Sequence, residues 1–281
     1  GYSAFKSVGA ALKGDIVINE GVTRICGEGV FSGCSSITSV SFPSTLTEIG
    51  SSAFKNCTSL KTAKLPDGIK TIGERAFENC SSLEDEVVIE EGVTVGRWAF
   101  GGKCGIKKLI VKNNAIIYSY AFQECYNLSN VEIKDNVTIR ADNFSKCNNL
   151  KTVTIGKNVK MPNDQWSLYY FKECNSLETV TVESISEIGY SAFKSVGAAL
   201  KGDIVINEGV TRIYGEGVFS GCSSITSVSI PSTLTEIGSG AFSNCIRLQT
   251  INVNMTEEEW NAVTKGGSWN TNVTANIVFK K

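Results

Sequence analysis

The chain has 281 residues, 42% of them hydrophobic, and its 27 basic side chains nearly balance its 28 acidic ones. That apolar share is too high for a disordered chain, and the balance leaves no basic excess of the kind that nucleic acids or anionic membranes attract. Histidine is absent, which excludes Ser-His-Asp and Cys-His catalysis, H-E-x-x-H zinc sites and imidazole pH switches, and no run of about 18 apolar residues predicts a membrane span.

Along the chain phenylalanine recurs at Phe5, Phe31, Phe54, Phe77, Phe100, Phe122, Phe144, Phe171, Phe193, Phe219 and Phe242, at intervals of 22–27 residues. Cys34, Cys57, Cys80, Cys125, Cys147, Cys174, Cys222 and Cys245 each follow a repeat phenylalanine by three residues. Cys104 follows its own by four, and Val8 and Val196 stand where the thiol is missing. A fixed period of this size marks a repeat architecture.

Residues 58–80 display one unit. After Thr58-Ser59-Leu60, the alternation of Ala63, Lys64 and Leu65 predicts a half-buried strand. Pro66-Asp67-Gly68 is a turn, Ile69 to Ile72 a second short extended piece, and Gly73 ends it. Glu74 to Cys80 has room for about a turn or two of helix. One such coil cannot bury its own apolar side, so neighbours must stack and share a core. The expected fold is a solenoid with a parallel β-sheet on one face and short strands and helical turns on the other. The Leu, Val/Ile, Ile, Phe and Cys positions point inward, and residues 1–253 form one elongated domain of about eleven coils.

The motif L-x-x-V-x-I-P…I-G-x-x-A-F-x-x-C-x-x-L appears as Ile37-Thr38-Ser39-Val40-Ser41-Phe42-Pro43, Ile49-Gly50-Ser51-Ser52-Ala53-Phe54, Cys57 and Leu60. It resembles the BspA-like subfamily of leucine-rich repeat proteins over about residues 1–253. The resemblance implies a right-handed horseshoe, found on the surfaces of bacteria and some protists, and a role in adhesion to host matrix proteins or other microbes.

Residues 1–57 recur as 189–245 with four differences, Cys26/Tyr214, Phe42/Ile230, Ser52/Gly240 and Lys55/Ser243. Such identity suggests a recent duplication within a longer array. The chain also opens inside a unit, so further repeats and an export signal are expected upstream. At the other end, residues 254–281 read as a cap: a helix over 256–265 opening on the capping box Thr256-Glu257-Glu258-Glu259, then Trp269 and a strand over Ala275–Phe279.

Regular coil stacking does not offer the geometry of disulfides, so the one-per-coil cysteines are expected as buried thiols, Cys26 excepted. Gly27-Glu28-Gly29 turns the coil and is not a phosphate loop. Asparagines at Asn-x-Ser/Thr triplets, Asn127, Asn136, Asn143, Asn254 and Asn272, are read mostly as turn residues. The densest carboxylates, Glu84-Asp85-Glu86 and Glu257-Glu258-Glu259, supply no opposed acid/base pair. No enzyme activity, cofactor or metal is expected.

Strand residues flanking the inward Val/Ile project outward. Most are small and polar, but Val88 and Ile110 fall on successive coils, bordered by Lys64, Lys108 and Glu132. An apolar centre with a charged rim is the expected contact site. A second candidate is the long coil between Ile155 and Phe171, whose insert carries Trp166, Tyr169 and Tyr170 either as exposed anchors or as a folded-back plug. The expected function is a cell-surface or secreted adhesion module for protein or glycan partners. The alternatives are a passive spacer within a larger surface protein and, from another class, a carbohydrate-active or peptidase module.

Overall fold

The computed structural model describes residues 12–83, 86–162, 169–183, 185, 187–189, 191–194, 196 and 200–280. Phe5, Val8, Glu84, Asp85 and Trp166 lie outside them. Within them the chain winds as a parallel β-solenoid with three walls.

The first wall carries the longer strands. Glu86–Ile89, Lys108–Val111, Asn130–Ile133, Thr152–Ile155, Thr179–Val182, Gly202–Ile206, Ile225–Ile230, Thr250–Val253 and Asn276–Phe279 pair in that order as one nine-stranded sheet, all parallel. Lys13–Val17 and Ser36–Ser41 form a separate pair. Their V-x-I alternation places one row inward, and Leu109, Val131 and Val153 are almost fully buried. The second wall consists of two-residue strands such as Glu48–Ile49, Thr71–Ile72 and Thr94–Val95, stacked in a six-stranded sheet and a four-stranded one.

The third wall corrects an expectation. Residues 74–80 and their equivalents form turns and not helix, and among the described residues the one α-helix is Glu257–Ala262. Backbone hydrogen bonds explain why. Ala53, Lys55 and Cys57 donate three residues back within their own coil, while Ser52, Phe54 and Asn56 donate to Glu74, Ala76 and Glu78 of the next coil. An α-helix would spend every amide on itself and leave the coils unjoined here. The alternation needs left-handed residues, and Ser52 and Asn56 have φ of 56° and 60°.

The core follows the repeat. From Phe31 to Phe242 the rings stack with centroids 5.1–5.9 Å apart and planes within 11°. Each contact contributes about 0.5–1.5 kcal/mol beyond burial. Nine cysteines are buried free thiols and Cys26 is exposed. The thiols of Cys57, Cys80, Cys125, Cys147, Cys174, Cys222 and Cys245 donate to the repeat-phenylalanine carbonyl of the coil before, at 3.0–3.3 Å. Burial pushes the Cys57, Cys174 and Cys245 thiols up to about 12, so they stay protonated and inert. Gly73 marks a close backbone approach, because a Cβ there would lie 2.6 Å from the Ser51 amide nitrogen.

At the C-terminus the helix is shorter than the 256–265 expected. Thr256 caps it, with both halves of the capping box made, and it stops at Ala262 because Thr264–Lys265 leaves to pair with Glu236–Ile237. Asn276–Phe279 pairs with Thr250–Val253. The ring of Trp269 meets Phe242 and Trp260 edge-on, closing the aromatic stack.

Candidate functional site

The nine-stranded sheet sets the register of the outward residues. Val88 stands opposite Ile110, and Ile110 opposite Glu132, in one continuous row. Glu86, Lys108 and Asn130 form the row beside it. The structure therefore brings Val88, Ile110, Glu132 and Lys108 together as their spacing implied. Val88 and Ile110 are half-buried, held by cross-strand contact with each other. The Lys108 ammonium pairs with Glu86 at 2.5 Å, and Lys134 pairs with Glu132, whose hydrogen bond raises the lysine pKa. These pairs are exposed and contribute little to stability, so they serve the rim by fixing where charge stands.

Lys64 departs from the expected arrangement. The segment around it is not a strand: Thr62 makes a single bridge to Ser39, and no ladder joins residues 62–65 to Glu86–Ile89. Lys64 is exposed and lines a hollow of about 450 Å³ together with Val88, Leu65 and Val87. Leu83 to Val87 spans four residues, where Leu60 to Ala63 and Leu128 to Val131 span three. The spacing does not mark this break by itself, since Leu200 to Ile204 also spans four residues and Gly202–Ile206 pairs on both edges.

In the long coil, Tyr170 is buried and its hydroxyl donates to the Pro162 carbonyl at 2.8 Å. Its backbone carbonyl accepts from Phe144, the role that Ala76 plays toward Phe54. Tyr170 thus occupies an alanine position of the repeat, and its oversized side chain reaches back to the insert. It is a plug and not an anchor. Tyr169 is half-buried, with the Lys172 ammonium 5.0 Å from its ring centre, and Trp166 lies outside the described residues. The neighbouring coil adapts likewise. Asn143 is fully buried in an alanine position of the turn wall, accepting from the Ala121 amide and donating to the Arg140 carbonyl.

Glu259 completes the capping box, and Gly27 and Gly29 have the positive φ of coil-turning residues. Among the described residues no group of three or more Cys, Asp or Glu is placed to hold a metal ion, and no helix is long and apolar enough to cross a membrane. One surface feature was not anticipated: Trp98 and Tyr120 stack at 5.3 Å on the turn wall. The Trp98 indole leaves no space for a Cβ at Gly101, where other coils carry Lys55, Glu78 or Gln123.

A family model described as a BspA type leucine rich repeat region matches in six copies, over residues 1–116, 85–167, 115–197 and 163–262. No curated protein matches the sequence. Among solved structures, a leucine-rich repeat protein from Bacteroides ovatus is 26% identical, covering 100% of this chain and 87% of its own, with a TM-score of 0.39. A leucine-rich cell surface protein from Faecalibacterium prausnitzii is 25% identical over 91% of this chain and 76% of its own, TM-score 0.43. The pneumococcal vaccine antigen PcpA is 19% identical over 96% and 79%, TM-score 0.42.

Proposed function

The chain belongs to the BspA-type leucine-rich repeat family, and from that premise we propose that it is an interaction module, displayed on a cell surface or secreted, whose sheet face binds a protein or glycan partner. A right-handed horseshoe curvature and a bacterial source belong to the same reading. The observation that supports it is the in-register pair of Val88 and Ile110, two adjacent apolar side chains in an outward row that elsewhere exposes Val205 and Val278 singly, ending at Glu132 and flanked by the Glu86–Lys108 pair. Parallel pairing of Lys108–Val111 on both edges, with Glu86–Ile89 on one of them, holds this surface in place, so little ordering entropy opposes a large ligand. Apolar centres with polar rims are where interfaces concentrate their affinity.

The test is the double variant Val88→Asp, Ile110→Asp, assayed by solid-phase binding to immobilised extracellular-matrix proteins and to intact bacterial cells. Both side chains project from the sheet, so circular dichroism and thermal midpoint should stay near those of the parent. Binding should fall by about tenfold or more. Undiminished binding removes the site, and a parent chain that captures neither class of surface leaves the spacer role in its place.

A further inference from the structure

The break in the sheet wall is a second feature of the same face, with chemistry of its own. Everywhere from Glu86 to Phe279 the long strands pair in unbroken succession. Between residues 62–65 and Glu86–Ile89 no ladder and no backbone hydrogen bond is made among the described residues. On the other walls the same two coils sit at normal spacing: Thr71–Ile72 pairs with Thr94–Val95, and Phe77 stacks on Phe100 at 5.1 Å. The coils are therefore joined on two walls and parted on the third.

Two consequences are visible. Residues at the inward positions of the break, Ala63, Leu65 and Val87, are half-buried, whereas Leu109, Val131 and Val153 at matching positions are almost fully buried. The hollow of about 450 Å³ between the segments has these apolar groups as its floor. Its lining includes the Lys64 ammonium and three carboxylates, Asp67, Glu86 and Glu90, of which Glu86 pairs with Lys108 and Glu90 with Lys112.

We propose that this break is a docking slot for an extended peptide, which adds as a strand along residues 62–65 and the unpaired edge of Glu86–Ile89. Facing strand edges without partners ask for main-chain donors and acceptors, which an extended peptide supplies along its whole length. Alternate side chains of the peptide would meet Ala63, Leu65 and Val87. The proposal deepens the interaction role above and rests on it, but it uses a different floor: Ile110 belongs to the open face and not to the slot's lining.

The probe is a fluorescein-labelled peptide of sequence Lys-Thr-Val-Thr-Ile-Gly-Lys, the segment 151–157, whose strand accepts partners on both edges in the solenoid. Titrated with the whole chain, it should give saturable anisotropy with a Kd of about 10–1,000 μM. The same peptide N-methylated at alternate backbone amides should bind at least about tenfold more weakly. Ala63→Glu should weaken binding similarly, and Ile110→Asp should leave it unchanged. Absence of saturable binding overturns the proposal, as does equal binding of the N-methylated peptide, which acts on the parent chain and needs no variant to fold. Equal binding by Ala63→Glu would place the peptide on the end strands of the solenoid instead, and overturns it too. Loss of matrix binding in Ile110→Asp with peptide binding intact separates the open face from the slot.

Discussion

Residues 12–57 and 200–245 are the same sequence but for four positions, yet they occupy different surroundings. Lys13–Val17 pairs on one edge, with Ser36–Ser41, whereas Gly202–Ile206 pairs on both, with Thr179–Val182 and Ile225–Ile230. Burial follows. Val22 is 37% exposed and Val210 0%, and Ile16 is half-buried where Ile204 is buried. Side-chain identity thus fixes which way a residue points in its coil, and the neighbouring coils fix how much that direction is worth.

The differing positions track the neighbours as well. Lys55 pairs with Glu78 of the coil that follows it, whereas Ser243 donates to the Ser268 carbonyl of the terminal coil. Tyr214 lies under Arg212, which bridges Glu187 and Glu236; at the first copy Arg24 pairs with Glu48 beside Cys26. Phe42 meets Phe54 edge-on, while Ile230 at the same place is fully buried.

Truncation at the core should show the largest effect. Ile204→Ala is expected to cost about 2–5 kcal/mol and Ile16→Ala less than half of that. Native-state hydrogen exchange read coil by coil is the suitable measurement, because stacked repeats lose structure locally. Equal costs would break the comparison. Tyr214→Cys comes next: removing the ring beneath Arg212 should cost about 0.5–1 kcal/mol. It also gives a clean count, because the native parent should react with a thiol reagent at one site, Cys26, and the variant at two. Labelling of the buried ladder in native protein would sink the description of the core. The smallest effect belongs to the left-handed position, where Ser52 and Gly240 share φ near 60° (56° and 60°). Ser52→Gly should stabilise its coil by about 0.5–1 kcal/mol and Gly240→Ser should destabilise by a similar amount. Equal and opposite shifts would show that the two turns remain equivalent despite their neighbours.

Much of the fold was legible because its constraints are periodic. The Phe and Cys intervals located the described coils from Phe31 to Phe242, and V-x-I alternation assigned the inward row. Opposition of Val88 to Ile110 followed from their equal place, one residue before the inward Ile89 and Val111. Three particulars were not legible. Glu74–Cys80 has the length of a helical turn, but its amides are shared with the next coil, a competition that no single unit contains. Ala63-Lys64-Leu65 alternates as a strand does, yet alternation reports one strand's faces and not whether another strand meets its edge. Tyr170 looks like an interface aromatic until its backbone is found in the alanine track.

By itself the sequence determined the winding, the aromatic and sulfur spines and the row on which an apolar spot would fall, since each depends on spacing inside one unit. Only the assembled coils decided which edges pair, which turns give up helix, and where the sheet parts. Those outcomes depend on hydrogen bonds and contacts between units.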